Sequence, residues 1–284
     1  MDHEKYRSWR IRDLKLTPGG HFFLNTDRQR FANEGPRAVY EGPVAEQMVG
    51  AVVSAGGVLS TKDLSDHLAS SEPLLVQPVK TTYRGDVTVH TTPLPTHGAV
   101  LLEALNILEC FDLTAIHKRP GQFEHVMVEA LRHASADGMR YVGDPDHGGS
   151  IEKILSHDRA RQCMASLKLE RKMDEVCPDI ERPQKHSGTT FLAAVDETGN
   201  VCALTSSLSR NFGCAVVEKH GFAVQARGDG FNQVSGHLNC FGPRKKPYHS
   251  LMPVMVTDAR TNNWLCTMGA MGGALQPNIL TQPH

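Results

Sequence analysis

GTTFLAAVDETGNVCALTSSL, residues 188–208, is the stretch on which the fold of this chain turns. Thr190–Val195 is almost continuously apolar, the turn-forming segment Asp196-Glu197-Thr198-Gly199-Asn200 follows, and Val201–Leu204 repeats the apolar run. Continuous apolar runs of this kind read as strands buried on both faces. The two runs are expected to pair antiparallel with few exposed side chains, and such a sheet needs helices or a second sheet over it. Directly upstream, KLERKMDEVCPDIERPQKHSG (168–188) is highly charged, holds two prolines and lacks periodicity, so it is expected to be exposed and mobile.

The junction between these segments is the first place where chemistry could sit. A charged loop runs into Gly188 and then into Thr189, a hydroxyl residue that opens a buried strand. If the Gly188–Thr189 bond were cut, Thr189 would gain a free α-amine with a pKa of about 8, able to act as general base for its own hydroxyl. The bland alternative is that Thr-Thr merely reflects β propensity. A second candidate is Gly269-Ala270-Met271-Gly272-Gly273-Ala274, where a strand, a glycine turn and a helix would expose N–H groups to an oxyanion; the alternative is a turn that needs glycine for sterics. Tyr248-His249-Ser250 is a third, with side chains suited to a carboxylate or simply to a turn.

Elsewhere the chain reads as alternating helices and strands. Val44–Ala55 shows a helical apolar face stopped by Gly56-Gly57, and Thr61 is placed to cap a short helix over Lys62–His67. Val79–Tyr83 and Val87–Thr91 flank Arg84-Gly85-Asp86 as a hairpin. Helices are expected near Gly98–Phe111 and Gln122–Ala136, a solvated loop at DPDHGG (144–149), and strands at Phe222–Gln225, Pro253–Thr257 and Trp264–Met268. Residues 1–40 read as connection.

Composition narrows the function classes. The 284 residues carry 30 basic and 31 acidic side chains for a net charge of −1, so no global basic field points to nucleic acid. No apolar run reaches the ~18 residues of a membrane span. The N-terminus MDHEKYRSWR has no apolar core of a secretory signal, which makes the cytoplasm the default expectation. Seven cysteines without a CxxC pair, and 15 scattered histidines without an HxxxH pair, indicate neither a disulfide scaffold nor a zinc site. Neither GxGxxG nor a P-loop is present, so no cofactor and no metal are expected.

The order of these signals resembles the γ-glutamyltranspeptidase (glutathione hydrolase) family of N-terminal-nucleophile hydrolases. The stretches that carry the resemblance are VYEGPVAEQMVGAVVSAGGVLSTKDLSDH (39–67), VTVHTTPLPTHGAVLLEALNILE (87–109), HVMVEALRHASADGMRYVGDPD (125–146), GTTFLAAVDETGNVCALTSSL (188–208) and PYHSLMPVMV through MGGALQP (247–277). The resemblance implies an α/β fold, the αββα sandwich of that class, truncated at both ends. It implies a proenzyme cut before a threonine, with residues 1–188 as the C-terminal part of a large-subunit-like region. Residues 189–284 would be the N-terminal part of a small-subunit-like region, and the two would pair as a heterodimer within one αββα domain. Thr189 stands at the nucleophile, Ser207 at a supporting hydroxyl, and Gly272 and Gly273 at the oxyanion hole. His249 and Ser250 align with a Ser-Ser pair that binds the donor carboxylate.

The substrate-binding motif departs from the family pattern. Where transpeptidases hold the donor ammonium with the acidic residues of a motif like NNEMDDF, this chain has QARGDGF (225–231), with Arg227 at the glutamate and Gly230 at the aspartate. Ser209 stands where an asparagine is usual. These features resemble the amidohydrolase-like branch of the family. The implied function is cleavage of γ-glutamyl or related small-molecule amides through an acyl-threonine; the alternative is an inactive, truncated member with a binding role or none. An unrelated ligand-binding α/β domain is the third reading.

Overall fold

A computed structural model describes residues 29–70, 73–174 and 188–282. Residues 1–28, most of the charged stretch ahead of Gly188 (175–187, including Cys177) and the last two residues lie outside this description. In chain order the elements are α1 (Arg37–Tyr40), α2 (Gly42–Ser54), α3 (Thr61–Ser70), β1 (Val79–Tyr83), β2 (Val87–Thr91), α4 (Gly98–Glu109), α5 (Leu113–His117), α6 (Gln122–Tyr141), α7 (His157–Ser166), β3 (Thr189–Val195), β4 (Val201–Ser207), β5 (Ala215–Val217), β6 (Phe222–Val224), β7 (Val254–Asp258), β8 (Trp264–Met268) and α8 (Gln276–Leu280). They form two compact units, one of residues up to 74 with 212–225, the other of 75–211 with 226–284.

In the first unit α2 and α3 pack against the β5–β6 hairpin through Ala45, Met48, Leu64 and Val217. The cap of α3 is Ser60, one residue earlier than expected. Its hydroxyl accepts from the Asp63 amide at 3.2 Å, while Asp63 Oδ2 accepts from the Ser60 amide at 2.8 Å. This reciprocal pair satisfies two otherwise orphaned donors.

The second unit is built on a four-stranded antiparallel sheet of order β1-β2-β7-β8. Its register aligns Thr81, Val89, Val256 and Cys266 in one row and Val79, Thr91, Val254 and Met268 in the next. The period-2 alternation thus gives one largely apolar face, which packs on Leu101, Leu102 and Leu105 of α4 and on Leu280. Helix α4 is apolar on nearly all sides because it is buried on both: Val100 and Ala104 meet Leu131 and Ala134 of α6. Small residues on α6 permit this approach; a Cβ on Gly138 would lie 2.4 Å from Val100 Cγ2. Each large apolar side chain buried here contributes roughly 1.5–3 kcal/mol.

The β3–β4 hairpin is antiparallel as expected, with Thr190 opposite Ser206 and Val195 opposite Val201. Its burial is not as expected. Leu192, Val195 and Leu204 are each 51% exposed, and no β3 or β4 side chain joins a buried apolar cluster among the described residues. An apolar run shows that a strand can be covered; the covering layer must come from elsewhere, and no described element supplies it. Other elements also differ from expectation. α6 runs to Tyr141, and α7 and β5 gave too little periodicity to be read. The DPDHGG loop is not simply solvated: Asp144 is buried and accepts from the amides of Asp146 and Lys246.

Between α4, α6 and α7 lies a buried ionic group. Arg159 donates to both oxygens of Asp137, at 2.5 Å from Nε and 2.9 Å from Nη2, and Glu103 lies beside them, fully buried. Cys163 completes a trio of potential metal-ligating groups, but the guanidinium already takes both Asp137 oxygens. Arg159 Nε stands 4.0 Å from Glu103 Oε1, and no described donor comes within hydrogen-bond distance of either Glu103 oxygen. A neutral Glu103 carboxyl resolves this by donating to Asp137, and burial first, then that neighbour, pushes its pKa up to about 10.

The unfolded carboxyl ionises near its ordinary value of 4.5, so folding must retain a proton above that pH, at a cost that grows until about pH 10. Glu103→Gln, which donates without titrating, is expected to raise stability at about pH 8 by ~1–3 kcal/mol and to change it little at about pH 4. Thermal unfolding across that range checks this; a variant no more stable at the higher pH would show Glu103 to be ionised in the fold.

Candidate active site

The turn of the β3–β4 hairpin sets where Thr189 falls. Asp196 Oδ1 accepts from the Thr198 amide at 2.9 Å, the Thr198 hydroxyl at 2.8 Å and the Asn200 amide at 2.8 Å, while its Oδ2 accepts from Asn200 Nδ2 at 2.7 Å. These bonds, the Asn200 side chain foremost, hold the carboxyl down to about 2. A closed turn of defined length pins the register, and a one-residue slip would send Thr189 to the other face.

In that register Thr189 sits opposite Ser207. Thr189 is buried and its Oγ1 donates to Ser207 Oγ at 3.2 Å, which also accepts from the Ser209 amide at 3.0 Å. The Gly188 carbonyl accepts from the Leu208 amide at 3.1 Å. Gly188 has φ +150°, and a Cβ there would come within 3.1 Å of the Arg210 carbonyl oxygen. Glycine suits this position by conformation, and a side chain would in addition crowd the Arg210 carbonyl.

The Leu208 carbonyl in turn accepts from the Ala226 amide at 2.9 Å, which brings the turn Arg227–Gly230 alongside. Arg210 forms an ion pair with Asp229 of that turn. Beside them opens a cavity of about 780 Å3, within the range of small-molecule sites. Arg227, Ser250 and Gly273 all line it. Thr189, Ser207, Gly272 and His249 are not among its lining residues. Gly272 (φ +129°) and Gly273 (φ +59°) lead from β8 into the 3-10 turn before α8, in conformations that strain any side chain.

Two groups form a wall of the cavity, Tyr248, already a candidate from the sequence, and His97, which was not singled out. His97 Nδ1 and the Tyr248 hydroxyl are 2.9 Å apart, and the rings meet edge to face. Burial drives His97 down to about 3 and raises Tyr248, so both are neutral and form a fixed polar wall. His249, half-buried, is brought down to about 4 by desolvation and then by the Arg227 charge. Its amide donates to the Pro95 carbonyl at 3.2 Å, so the segments Pro93–His97 and Tyr248–Ser250 lie side by side. Asn239 ties the wall to the Arg227 turn: its Nδ2 donates to Gly230 O at 2.5 Å and its Oδ1 accepts from the Tyr248 amide at 3.0 Å. His97 and Tyr248 lie in the stretches PLPTHG and PYHS, a usable signal. Arg210 carried none.

Comparison with known proteins gives a consistent result. A family model described as Gamma-glutamyltranspeptidase matches residues 26–283. The chain is 31% identical over 252 residues to the glutathione hydrolase-like YwrD proenzyme of Bacillus subtilis (strain 168), covering 88% of this chain and 46% of that protein. It is 28% identical over 256 residues to a glutathione hydrolase proenzyme of Pseudomonas sp. (strain A14), covering 85% and 43%. The crystal structure of a cephalosporin acylase from Bacillus halodurans superposes with a TM-score of 0.73 at 30% identity, over 90% of this chain and 45% of that one. The chain thus spans less than half the length of these relatives.

The hairpin turn generates a direct test. Asp196→Ala should loosen the register, with amide exchange along Thr190–Ser206 faster by on the order of tenfold, read by NMR. Because the folded carboxyl titrates near 2 instead of 3.8, its contribution is present above the higher value and is lost as pH falls through the lower. Unchanged exchange in the variant would show that the strands alone hold the register.

Proposed function

Because the chain belongs to the gamma-glutamyltranspeptidase family, we propose that it carries the processing junction and part of the acyl site of an N-terminal-threonine amidohydrolase. The observation that carries this reading is the Thr189 hydroxyl, hydrogen-bonded to Ser207 at 3.2 Å and directly following a glycine in a conformation that side chains resist. Processing would proceed by attack of Thr189 Oγ on the Gly188 carbonyl carbon. The Oγ–C bond forms, the Gly188–Thr189 C–N bond breaks, and the hydroxyl proton passes to the departing nitrogen. Water then hydrolyses the ester, leaving a Gly188 carboxylate and a Thr189 with free α-amine and free hydroxyl.

The same hydroxyl, with the new amine as base, would attack a substrate amide to give an acyl-threonine that water releases. Gly272 and Gly273 amides would stabilise the oxyanion. Ser250 would meet a substrate carboxylate, with His249 beside it as a neutral, half-buried neighbour. Arg227, partly buried on the cavity wall, would repel an α-ammonium, so γ-glutamyl donors fit this site less well than related acyl amides. Large- and small-subunit-like parts would then remain associated as a heterodimer. A second reading, an inactive chain that keeps the fold, draws support from the cavity itself, since Thr189 is not among the residues that line it.

Intact-mass analysis separates the two. Cleavage is expected at Gly188–Thr189 alone, slower in Thr189→Ser and absent in Thr189→Ala, with hydrolysis in the alanine variant lower by at least on the order of 10³-fold. Cleavage that persists in Thr189→Ala would remove the nucleophile from this residue. On the processed protein, γ-glutamyl anilide should show a kcat/KM lower by about 10²-fold or more than an acyl anilide without the ammonium, the cost of a like charge in a desolvated site. Equal rates with the two anilides would take Arg227 out of donor recognition.

A further inference from the structure

We infer that the Arg210–Asp229 ion pair is a positioning device for cleavage before Thr189: it clamps residues 208–210 over the Gly188 carbonyl. This rests on the Thr189 reading above and adds two residues to it.

Beyond the pairing of Thr189 with Ser207, residues 208–210 contact the scissile carbonyl, the Ser207 hydroxyl beside the nucleophile and the Gly188 Cα. The Leu208 amide donates to Gly188 O at 3.1 Å, which aims an N–H at the oxygen that becomes negative when Thr189 attacks. The Ser209 amide donates to Ser207 Oγ at 3.0 Å, orienting the oxygen that also accepts the Thr189 hydroxyl's hydrogen bond. The Arg210 carbonyl packs on the Gly188 Cα, where a Cβ would come within 3.1 Å. Ser209 itself has φ +68°, an unfavourable conformation for a serine that something must hold.

Two tethers hold this strap, and both lead to the same turn. One is the backbone bond from Ala226 N to Leu208 O at 2.9 Å. The other is the Arg210 side chain, whose Nε pairs with Asp229 Oδ2. The second tether is the side-chain contact that ties residue 210 itself to that turn; the bonds of residues 208 and 209 hold only the start of the strap. The pair is partly exposed, with side chains 39% and 28% accessible, so it adds little to global stability; its effect is on placement. Asp229 and Arg210 also line the cavity, so the clamp stands where an occupant can reach it.

The test uses the full chain. Newly made protein is followed by intact mass for cleavage and by NMR for exchange of the Leu208 and Ser209 amides, in Asp229→Asn, Arg210→Gln and the exchanged pair Arg210→Asp with Asp229→Arg. Each single variant should cleave on the order of tenfold more slowly and lose a similar factor of amide protection, with a melting temperature within about 3 °C of the parent. The exchanged pair should recover most of both losses. Raising ionic strength should slow cleavage in the parent and not in Asp229→Asn, because a partly exposed pair is screened. Single variants that cleave at the parental rate with unchanged Leu208 protection would overturn the clamp and leave Thr189 in place. A parent that never cleaves would sink the Thr189 reading instead; the amide exchange then decides the clamp by itself. Should the singles fold poorly, Arg210→Lys keeps the charge without the planar fork, and a parental rate and protection there, with no salt effect in the parent, would likewise overturn it.

Discussion

The register of one hairpin governs the candidate site. With Asp196 closing the turn through four hydrogen bonds, counting back along two strands puts Thr189 opposite Ser207 and Gly188 beneath the residues that follow β4. Every later feature depends on that alignment. The Leu208 amide reaches the Gly188 carbonyl only because the ladder ends where it does, and the 208–210 strap meets the Arg227–Gly230 turn only because the chain leaves the hairpin in that direction. Side-chain alternation has a period of two, so no partial error is available: a slip by one residue exchanges faces completely.

The four-stranded sheet plays the complementary part. Its cross-strand rows supply a flat apolar face for α4, and the small residues of α6 let a second helix close on the other side of α4. This packing fixes both ends of the cavity wall. His97 immediately precedes α4, and Tyr248 lies in the loop that leads to β7, so their contact joins the helix to the sheet. Both groups are neutral in the fold because burial penalises their charged forms. The wall therefore offers hydrogen bonds without charge, and charge at the cavity comes from Arg227, Arg210 and Asp229.

The buried Glu103, Asp137 and Arg159 group shows a different use of polarity. One guanidinium satisfies one carboxylate by a bidentate bond, and the second carboxyl is accommodated by keeping its proton. Two ionised carboxylates at such a distance from solvent would repel each other with little screening. The group links α4, α6 and α7 by directional bonds, where the neighbouring Val100, Ala104 and Ala134 contacts are non-directional.

The linear sequence determined what local chemistry can determine. The hairpin at 79–91, the α4 and α6 periodicities, strands over 253–257 and 264–268, the glycine turn at 269–273 and the hydroxyl at the head of β3 all follow from residue type and spacing, and the family is legible in the order of its motifs. Tertiary structure decided the rest. Apolarity in Thr190–Val195 and Val201–Leu204 announced strands but not a cover, because burial is a property of what packs against a strand. The neutral His97–Tyr248 wall joins residues 151 positions apart, and the Arg210–Asp229 tether joins residues on either side of the segment 212–225; no periodicity connects either pair. Ionisation was equally out of reach: the proton on Glu103 depends on a buried neighbour from another helix, and only the folded chain brings the two within reach.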